Sequence, residues 1–346
     1  MKTEVGATGT YQYNYNYPGT KQPAFIPNYA ALTVGGYVLH SGKIGPLQLS
    51  AGLRYDFRAM DVDGYTSIGG SPKYYTDWKI FSNYTMSFAA HYQFNEQLDA
   101  RANIGWSWRP PDINELYSIG LHHGTYWVEG NRNLKSENGY KAVLGARWRN
   151  SWISIEPSAF YQGVKNYIYD GIGKGMDRFY NHPTGKYPKF VFGQDDARLF
   201  GGDMMATVSP IEGLSLSARG EWINARNLTQ NEYLPFMPSD RYGASASYEW
   251  KMGDDKQYHF LASLSGLFVT KQTHFNPEKD LVDETPPAYA LMNATAEFTW
   301  DLPANREFKF ILIGDNILNT MYKEYTDRFR YYAHGKGANI SLRTII

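Results

Sequence analysis

The sequence has no cysteine among its 346 residues, so disulfide frameworks, thiolate metal sites and cysteine nucleophiles are excluded. It has no excess charge either, because 34 Lys and Arg balance 34 Asp and Glu. Bulk attraction to nucleic acid or to an anionic membrane surface is therefore not expected. No stretch approaches the roughly 18 apolar residues of a membrane-spanning helix. Residues 1–6 also lack the apolar run of an export signal.

Motifs of the common enzyme classes are missing as well. The sequence contains no Gly-x-Ser-x-Gly elbow, no His-Glu-x-x-His zinc motif, no phosphate-binding loop and no dinucleotide fingerprint between a strand and a helix. Basic residues are not clustered as in nucleic-acid-binding proteins. We therefore predict that the chain is not an enzyme, carries no cofactor and no resident metal, and binds no nucleic acid.

Aromatic residues are abundant in a polar chain, with 29 Tyr and 9 Trp at a mean hydropathy of -0.51. Side chains also alternate with period two, which is typical of β-strands with one apolar face. In residues 47–57, Leu47, Leu49 and Leu53 occupy odd positions, and polar residues occupy even ones. Counting all such segments gives about fourteen strands of roughly 9 to 15 residues, longer than ordinary globular strands.

Long alternating strands with aromatic ends are typical of transmembrane β-barrels, where Trp and Tyr lie at the headgroup level. Such aromatic ends are the pairs Tyr55/Phe57, Tyr92/Phe94, Trp106/Trp108 and Tyr248/Trp250. The sequence therefore predicts an all-β fold, a transmembrane antiparallel β-barrel that forms one domain over residues 1–346. The alternative fold class is a soluble β-sandwich or propeller. The function that would go with it is that of a soluble carbohydrate-binding protein.

Connection lengths support the barrel, because outer-membrane barrels have short periplasmic turns and long extracellular loops. Short connections are predicted at 41–45, 95–96, 149–151, 210–213, 252–256 and 302–305. Long ones are predicted at 15–27, 59–77, 110–135, 170–190, 227–239, 271–287 and 318–335. The two kinds alternate without exception, which directs the last strand toward the periplasm.

Two sequence blocks resemble the TonB-dependent outer-membrane receptors. The first runs over residues 108–117 and 129–137, where the family has an aromatic-Arg-Ala-Pro segment, Asn-Glu-Leu and then Asn-Pro-Asn-Leu-Lys-Pro-Glu. The second runs over residues 315–322. The matching positions are Arg109, Pro111, Asn114, Glu115, Leu116, Asn131, Asn133, Leu134, Asn316 and Asn319, whereas Pro110, Arg132 and Ser136 depart from the pattern.

This resemblance implies a bacterial outer-membrane receptor for TonB-dependent uptake of an iron chelate, either a siderophore or haem. Family members have a globular plug and a barrel of twenty-two strands. About fourteen strands without a plug correspond to the C-terminal portion of such a barrel. We therefore expect a fragment that is not competent for transport alone and that would reach TonB only through the missing plug. Its other partners would be the outer-membrane lipid bilayer and the cargo.

Candidate ligand-binding residues lie in two long loops: His122, His123, Tyr126, Trp127, Arg328, Tyr331 and Tyr332. In haem receptors of the family a histidine lies between the two motif segments, as His122 and His123 do. The tyrosines and Trp127 have faces on which flat cargo stacks. Alternatively, these histidines are merely solvated and the aromatic rings pack the loops together. A self-contained passive porin of fourteen strands is the alternative function.

Overall fold

A computed structural model describes residues 1–17, 24–66, 73–173, 175–253, 257–280, 284–302, 306–327 and 339–345. Nearly all of this part of the chain belongs to a single sheet of 18 strands. In chain order, the strands are β1 (Lys2–Asn14), β2 (Asn28–Ile44), β3 (Leu47–Thr66), β4 (Lys73–Gln93), β5 (Leu98–Arg109), β6 (Ile119–His122), β7 (Tyr126–Glu129), β8 (Glu137–Arg149), β9 (Ile153–Ile172), β10 (Phe179–His182), β11 (Gly185–Val208), β12 (Leu214–Asn227), β13 (Glu232–Tyr233), β14 (Arg241–Met252), β15 (Tyr258–Val269), β16 (Tyr289–Leu302), β17 (Arg306–Asp315) and β18 (Asn339–Ile345).

The predicted all-β fold and the outer-membrane-type strands are confirmed, with a small difference in number. Fourteen strands are long, and β6, β7, β10 and β13 are additional strands of four residues or fewer. These four lie in the connections between long strands, and they are too short for period-two alternation to reveal them. Helical structure in the described residues is limited to α1 (Ile113–Tyr117), α2 (Pro277–Asp280) and a 3₁₀ turn at Gly175–Arg178. None of these helices is long and apolar enough to cross a membrane.

The long strands pair with their neighbours in antiparallel register, as sequential hairpins do. A two-residue connection joins Ile44 to Leu47, and Gly45 there has a φ of 57°, a left-handed conformation that glycine adopts without steric cost. The series of paired strands runs from β1 to β18. Among the described residues no pairing joins these two end strands.

One face of the sheet presents large apolar side chains to the outside of the molecule. Leu53, Phe88, Ile104, Leu144 and Leu216 on this face are 40% to 63% exposed. Side chains this apolar and this exposed match the lipid-facing surface of a barrel. We call this surface the outer face and the opposite one the inner face.

Aromatic rings on the outer face form two belts. The turn-side belt lies near the short turns and contains the contacting pairs Tyr92–Phe94, Tyr248–Trp250 and Tyr258–Trp300, with ring centroids 4.4 Å to 5.9 Å apart. The loop-side belt crosses the sheet nearer the long loops. It consists of Tyr55, Tyr84, Trp106, Tyr140, Tyr161, Phe200, Trp222, Tyr242 and Phe268. Two such belts mark the two boundaries of the bilayer.

Two regions predicted as long loops are largely strand. Residues 59–77 continue β3 and β4, and only 67–72 lie outside the described residues. Of residues 170–190, all but 174 are described, and they contain the ends of β9 and β11, the 3₁₀ turn at Gly175–Arg178 and β10. Beyond the bilayer the outer face meets water, so the alternation reverses. Met60 and Val62 point inward and are fully buried, whereas Asp61 and Asp63 are exposed. The predicted turns around Asp254 and Ala304 lie outside the described residues.

The main core lies on the inner face, near the loop end of the strands. Its buried members are Ala31, Met60, Val62, Ile113, Leu116, Tyr117, Leu134 and Ile168. Met60 and Val62 come from β3, whereas Ile113, Leu116 and Leu134 come from the connection between β5 and β8. This connection therefore folds back onto the inner face instead of projecting away from the sheet.

Candidate functional site in the motif loop

The connection from Pro110 to Ser136, here called the motif loop, begins with a capped helical turn. Glu115 Oε2 accepts a hydrogen bond of 2.7 Å from the backbone N–H of Asp112, which precedes α1. The backbone N–H of Leu116 in turn bonds the Asp112 carbonyl at 3.1 Å. A glutamate three residues after the N-cap satisfies an N–H group that the helix itself leaves unpaired.

Arg109 holds this turn against the strands. Its Nη1 donates to both carboxylate oxygens of Glu115, at 2.9 Å and 2.7 Å, and its Nε donates to Glu137 Oε2 at 2.9 Å. Glu137 also accepts a bond from the backbone N–H of Ile168 on β9. One guanidinium thus ties the end of β5 to α1 and to β8, and Glu137 extends the network to β9.

Apolar residues fix the loop on the inner face. Leu116 is fully buried, and Pro111 is among the most buried residues of the chain. Tyr117 is 4% exposed and its hydroxyl donates a 2.6 Å hydrogen bond to Asp77 Oδ2. Burial, together with the hydrogen bond to this carboxylate and its negative charge, raises the pKa of Tyr117 above its ordinary value.

The second half of the motif closes the loop through backbone contacts. The N–H of Asn131 donates to the Glu115 carbonyl at 2.8 Å, and its Nδ2 donates to the Phe192 carbonyl of β11 at 3.2 Å. Its Oδ1 accepts the N–H of Asn133 at 3.0 Å. Asn114 is exposed, and its backbone carbonyl accepts the N–H of Ser118 at 3.0 Å. These contacts hold the two ends of the motif loop together.

Arg132, where the family pattern has proline, makes a contact that proline cannot make. Its guanidinium carbon lies 3.5 Å from the ring centroid of Tyr75 and 5.6 Å from that of Tyr117. The two rings are themselves stacked at 6.1 Å. This departure from the pattern therefore adds a cation–π contact between the motif loop and β4.

The hairpin of β6 and β7 carries the predicted ligand-binding histidines. His123 lies in the turn with a φ of 49° and is exposed, whereas His122 is partly buried. His122 Nδ1 is 2.8 Å from the hydroxyl oxygen of Tyr126. The His122 ring contacts those of Phe25 at 5.3 Å and His123 at 4.0 Å, and Tyr126 contacts Phe190 at 5.2 Å.

Trp127 occupies a different environment from Tyr126. It is 8% exposed and its ring stacks on that of Tyr180 at a centroid distance of 3.6 Å. Its Nε1 donates to Glu129 Oε1 at 3.0 Å, and Glu129 pairs with Lys189 at 2.8 Å. Most of the Trp127 surface is therefore already in contact with protein.

Sequence reasoning missed the partners that complete this group of rings. Phe25, Tyr180, His182 and Phe190 come from two other connections, and β7 reaches them by pairing in parallel with β11 at Lys189–Val191. The contacting rings form two groups, one of Phe25, His122, His123, Tyr126 and Phe190 and one of Trp127, Tyr180 and His182, on opposite faces of β7. We call the two groups together the aromatic cluster. No local pattern indicated that residues 127 and 180 would lie near each other.

The remaining predicted residues lie elsewhere. Asn316 and Asn319 have φ angles of 48° and 51° and form a turn in which Asn316 Oδ1 accepts the N–H of Thr320 at 3.0 Å. Arg328, Tyr331 and Tyr332 lie outside the described residues. Within the described part of the chain, no group of three or more His, Asp or Glu residues is arranged to hold a metal ion.

The family model described as TonB dependent receptor-like, beta-barrel, matches residues 2–317. The chain belongs to the TonB-dependent receptor family. Members of this family are bacterial outer-membrane proteins, and this chain is accordingly an outer-membrane protein. The apolar outer face and its two aromatic belts agree with that location. No curated protein matches the sequence.

Several solved structures share this fold at low sequence identity. The copper transporter OprC is 16% identical with a TM-score of 0.73, and the match covers 98% of this chain and 52% of OprC. The FrpB iron transporter from Neisseria meningitidis is 17% identical with a TM-score of 0.63, covering 92% and 46%. The ferric yersiniabactin uptake receptor FyuA from Yersinia pestis is 14% identical with a TM-score of 0.62, covering 98% and 45%. The chain spans about half the length of these structures.

Proposed function

We propose that this TonB-dependent receptor barrel takes up an iron chelate, and that the aromatic cluster is part of its extracellular binding surface. Three connections meet there: the one before β2 supplies Phe25 beside His122, and the β9–β11 connection supplies Tyr180 and His182 beside Trp127 of the motif loop. Phe190, at the start of β11, contacts Tyr126. This convergence of imidazole, phenol and aromatic faces at the loop end of the sheet is the observation that supports the proposal. Contact with TonB would require a plug domain in addition to this barrel portion.

A siderophore is the cargo we favour. Iron in a siderophore already has its coordination positions filled by the chelator, so recognition needs hydrogen bonds and aromatic faces and no protein ligand to the metal. Tyr126, Tyr180 and Thr125 supply hydroxyl groups beside aromatic rings. The proposed binding residues are His122, His123 and Tyr126, together with Arg328, Tyr331 and Tyr332, which the sequence predicts to lie in the last loop. Trp127, which is stacked on Tyr180, supports the hairpin that carries the histidines.

Haem is the second candidate, because of one specific observation. His122 and His123 place two imidazole rings 4.0 Å apart beside Phe25 and Tyr126, and an axial ligand is useful where the flat macrocycle also finds aromatic contacts. The passive fourteen-stranded porin has no comparable support, since the family model spans nearly the whole chain.

Titration of the chain, folded in detergent micelles, with a ferric trihydroxamate chelate and separately with haemin tests the proposal. Quenching of tryptophan fluorescence reports chelate binding, and the Soret band reports axial ligation of haem. For a siderophore receptor we expect Tyr126→Ala to weaken chelate binding about tenfold, the effect of losing one aromatic contact and one hydrogen bond. The His122→Ala/His123→Ala double variant should then change it little.

For a haem receptor the double variant loses the Soret shift instead. His40→Ala is the matched control, because His40 lies on β2 and bonds Thr3 at 2.8 Å, away from the motif loop. Resistance of the folded form to unfolding on an unheated SDS gel shows that each variant is assembled. If neither ligand produces a saturable signal with the folded chain, the proposed cargo class is wrong.

A further inference from the structure

Two arginines lie directly opposite each other on the outer face of the sheet. Arg198 of β11 pairs with Arg226 of β12, in a ladder that runs without a register shift from Ala197 to Val208. Leu216 and Trp222 share this face with Arg226 because they are separated from it by even numbers of residues. Directly opposed side chains in an antiparallel pair have Cβ atoms about 4.5 to 5.5 Å apart, where like charges destabilise the pair.

These arginines lie just beyond the loop-side belt. Phe200 and Trp222, which contact each other at 5.8 Å, belong to that belt. On their strands they lie nearer the short turn than Arg198 and Arg226 do. A strand crosses the hydrocarbon region in about 9 to 11 residues. Starting from Leu214, β12 therefore leaves that region near Trp222 and brings Arg226 to the level of the lipid headgroups.

A third basic residue extends the group. Lys165 of β9 pairs with Asn138, and the same ladder pairs Leu144 with Ala159, so Lys165 is on the outer face. Gly163, which pairs with Arg198 and lies against the ring of Tyr140, precedes Lys165 by two residues on the same face of β9. We call Lys165, Arg198 and Arg226 the basic row.

Within the described part of the chain, no carboxylate forms an ion pair with the basic row. Arg226 Nη2 donates instead to the carbonyl and side-chain oxygens of Asn231, at 3.2 Å and 3.1 Å, and its guanidinium lies 4.6 Å from the ring centroid of Tyr233. Arg198 Nε is buried without a hydrogen-bond partner. Asp196, two residues beyond Arg198, accepts the N–H of Asn166 at 3.1 Å. Among the described residues, neither arginine therefore has a carboxylate in ion-pair contact.

We infer that the basic row binds the phosphate group of a lipid in the outer leaflet, with the acyl chains of that lipid lying along the loop-side belt. A guanidinium presents paired N–H donors that match two phosphate oxygens, and one phosphate between two arginines removes their repulsion. The position favours a lipid over a free anion, because the apolar side chains of the belt begin immediately below the charges. Lys165 supplies a further positive charge two residues nearer the loop end.

The test compares the chain in phosphatidylcholine nanodiscs with and without phosphatidic acid, using native mass spectrometry to count retained phosphatidic acid. Replacing both arginines, as R198Q/R226Q, should weaken retention about 30-fold, since each basic residue near a membrane surface contributes about a fivefold effect. R198K/R226K keeps the charges and should retain part of the affinity. R101Q/R219Q removes two arginines from the inner face and should leave retention unchanged.

Equal retention by the native chain and by folded R198Q/R226Q would overturn the inference. Assembly of each variant is checked by its unheated migration on SDS gels, so a folding defect is separated from a binding defect. Inorganic phosphate provides the remaining arm. If it displaces phosphatidic acid at comparable concentration, the row is a general anion site and the lipid assignment is wrong.

Discussion

Replacing Arg109 by methionine removes the cation that two largely buried carboxylates share. The side chains of Glu115 and Glu137 are 13% and 14% exposed, and each lies within 2.9 Å of the guanidinium. Removing one partner of a fully buried ion pair costs about 3 to 5 kcal/mol, because the remaining charge stays desolvated. The Arg109 side chain is 39% exposed, so solvent screens part of this interaction. We therefore expect a loss of about 2 to 4 kcal/mol.

The loss should appear first in the motif loop. Glu115 caps α1, so a displaced carboxylate releases the helical turn and exposes residues 110–136 to protease. Urea unfolding in liposomes gives the free energy, and limited proteolysis with mass spectrometry locates the cleavage. R101Q is the control: Arg101 is on the same face of β5, is 53% exposed and lies 3.5 Å from Asp99. If R109M and R101Q unfold at the same urea concentration, the Arg109 network does not hold the loop.

Three further changes test other parts of the structure. Leu144→Arg on the outer face should lower the free energy of unfolding in lipid by about 2 to 4 kcal/mol, whereas Asn103→Arg on the inner face should change it little. Equal urea midpoints for the two variants would contradict the assignment of faces. Gly130→Ala places a Cβ 2.5 Å from the backbone nitrogen of Tyr117 and should destabilise the chain by about 1 to 3 kcal/mol, measured as a lower unfolding midpoint. Tyr117 has a raised pKa, so its hydrogen bond to Asp77 contributes stability that is complete below about pH 10 and is lost only as the pH rises through the higher folded pKa. In a titration followed by absorbance at 295 nm, the native chain should show one phenol that ionises at higher pH and that Tyr117→Phe lacks. Identical titration curves for the two chains would refute this.

Period-two alternation predicted the strands well within the bilayer because one face meets lipid there. The alternation did not reveal the parts of the strands above the bilayer, because there the outer face meets water and the inner face packs against a protein core. Met60 and Val62 point into a core made by the motif loop, and Asp61 and Asp63 point to water, so a segment with strand geometry looked like a polar loop.

The candidate site was only partly predictable. The motif block located Arg109, Glu115 and Asn131, and the structure shows that they build the loop. The neighbours of His122 and Trp127 depend on the parallel contact of β7 with β11, a pairing between segments about sixty residues apart. Arg147 shows the same limit: alternation indicates only a solvated inner face, yet Arg147 pairs at 2.7 Å with Asp99, a buried carboxylate.

The upper part of the β9–β11 hairpin separates two clusters of buried side chains. Ile168 packs into the core with the motif loop, while the adjacent Tyr167 packs against Ala197, Ala225 and Leu234 beside the loop that follows β12. Because successive residues of a strand point in opposite directions, adjacent residues of β9 contribute to the two clusters. The packing of the motif loop and that of the loop after β12 therefore meet at two adjacent residues of one strand.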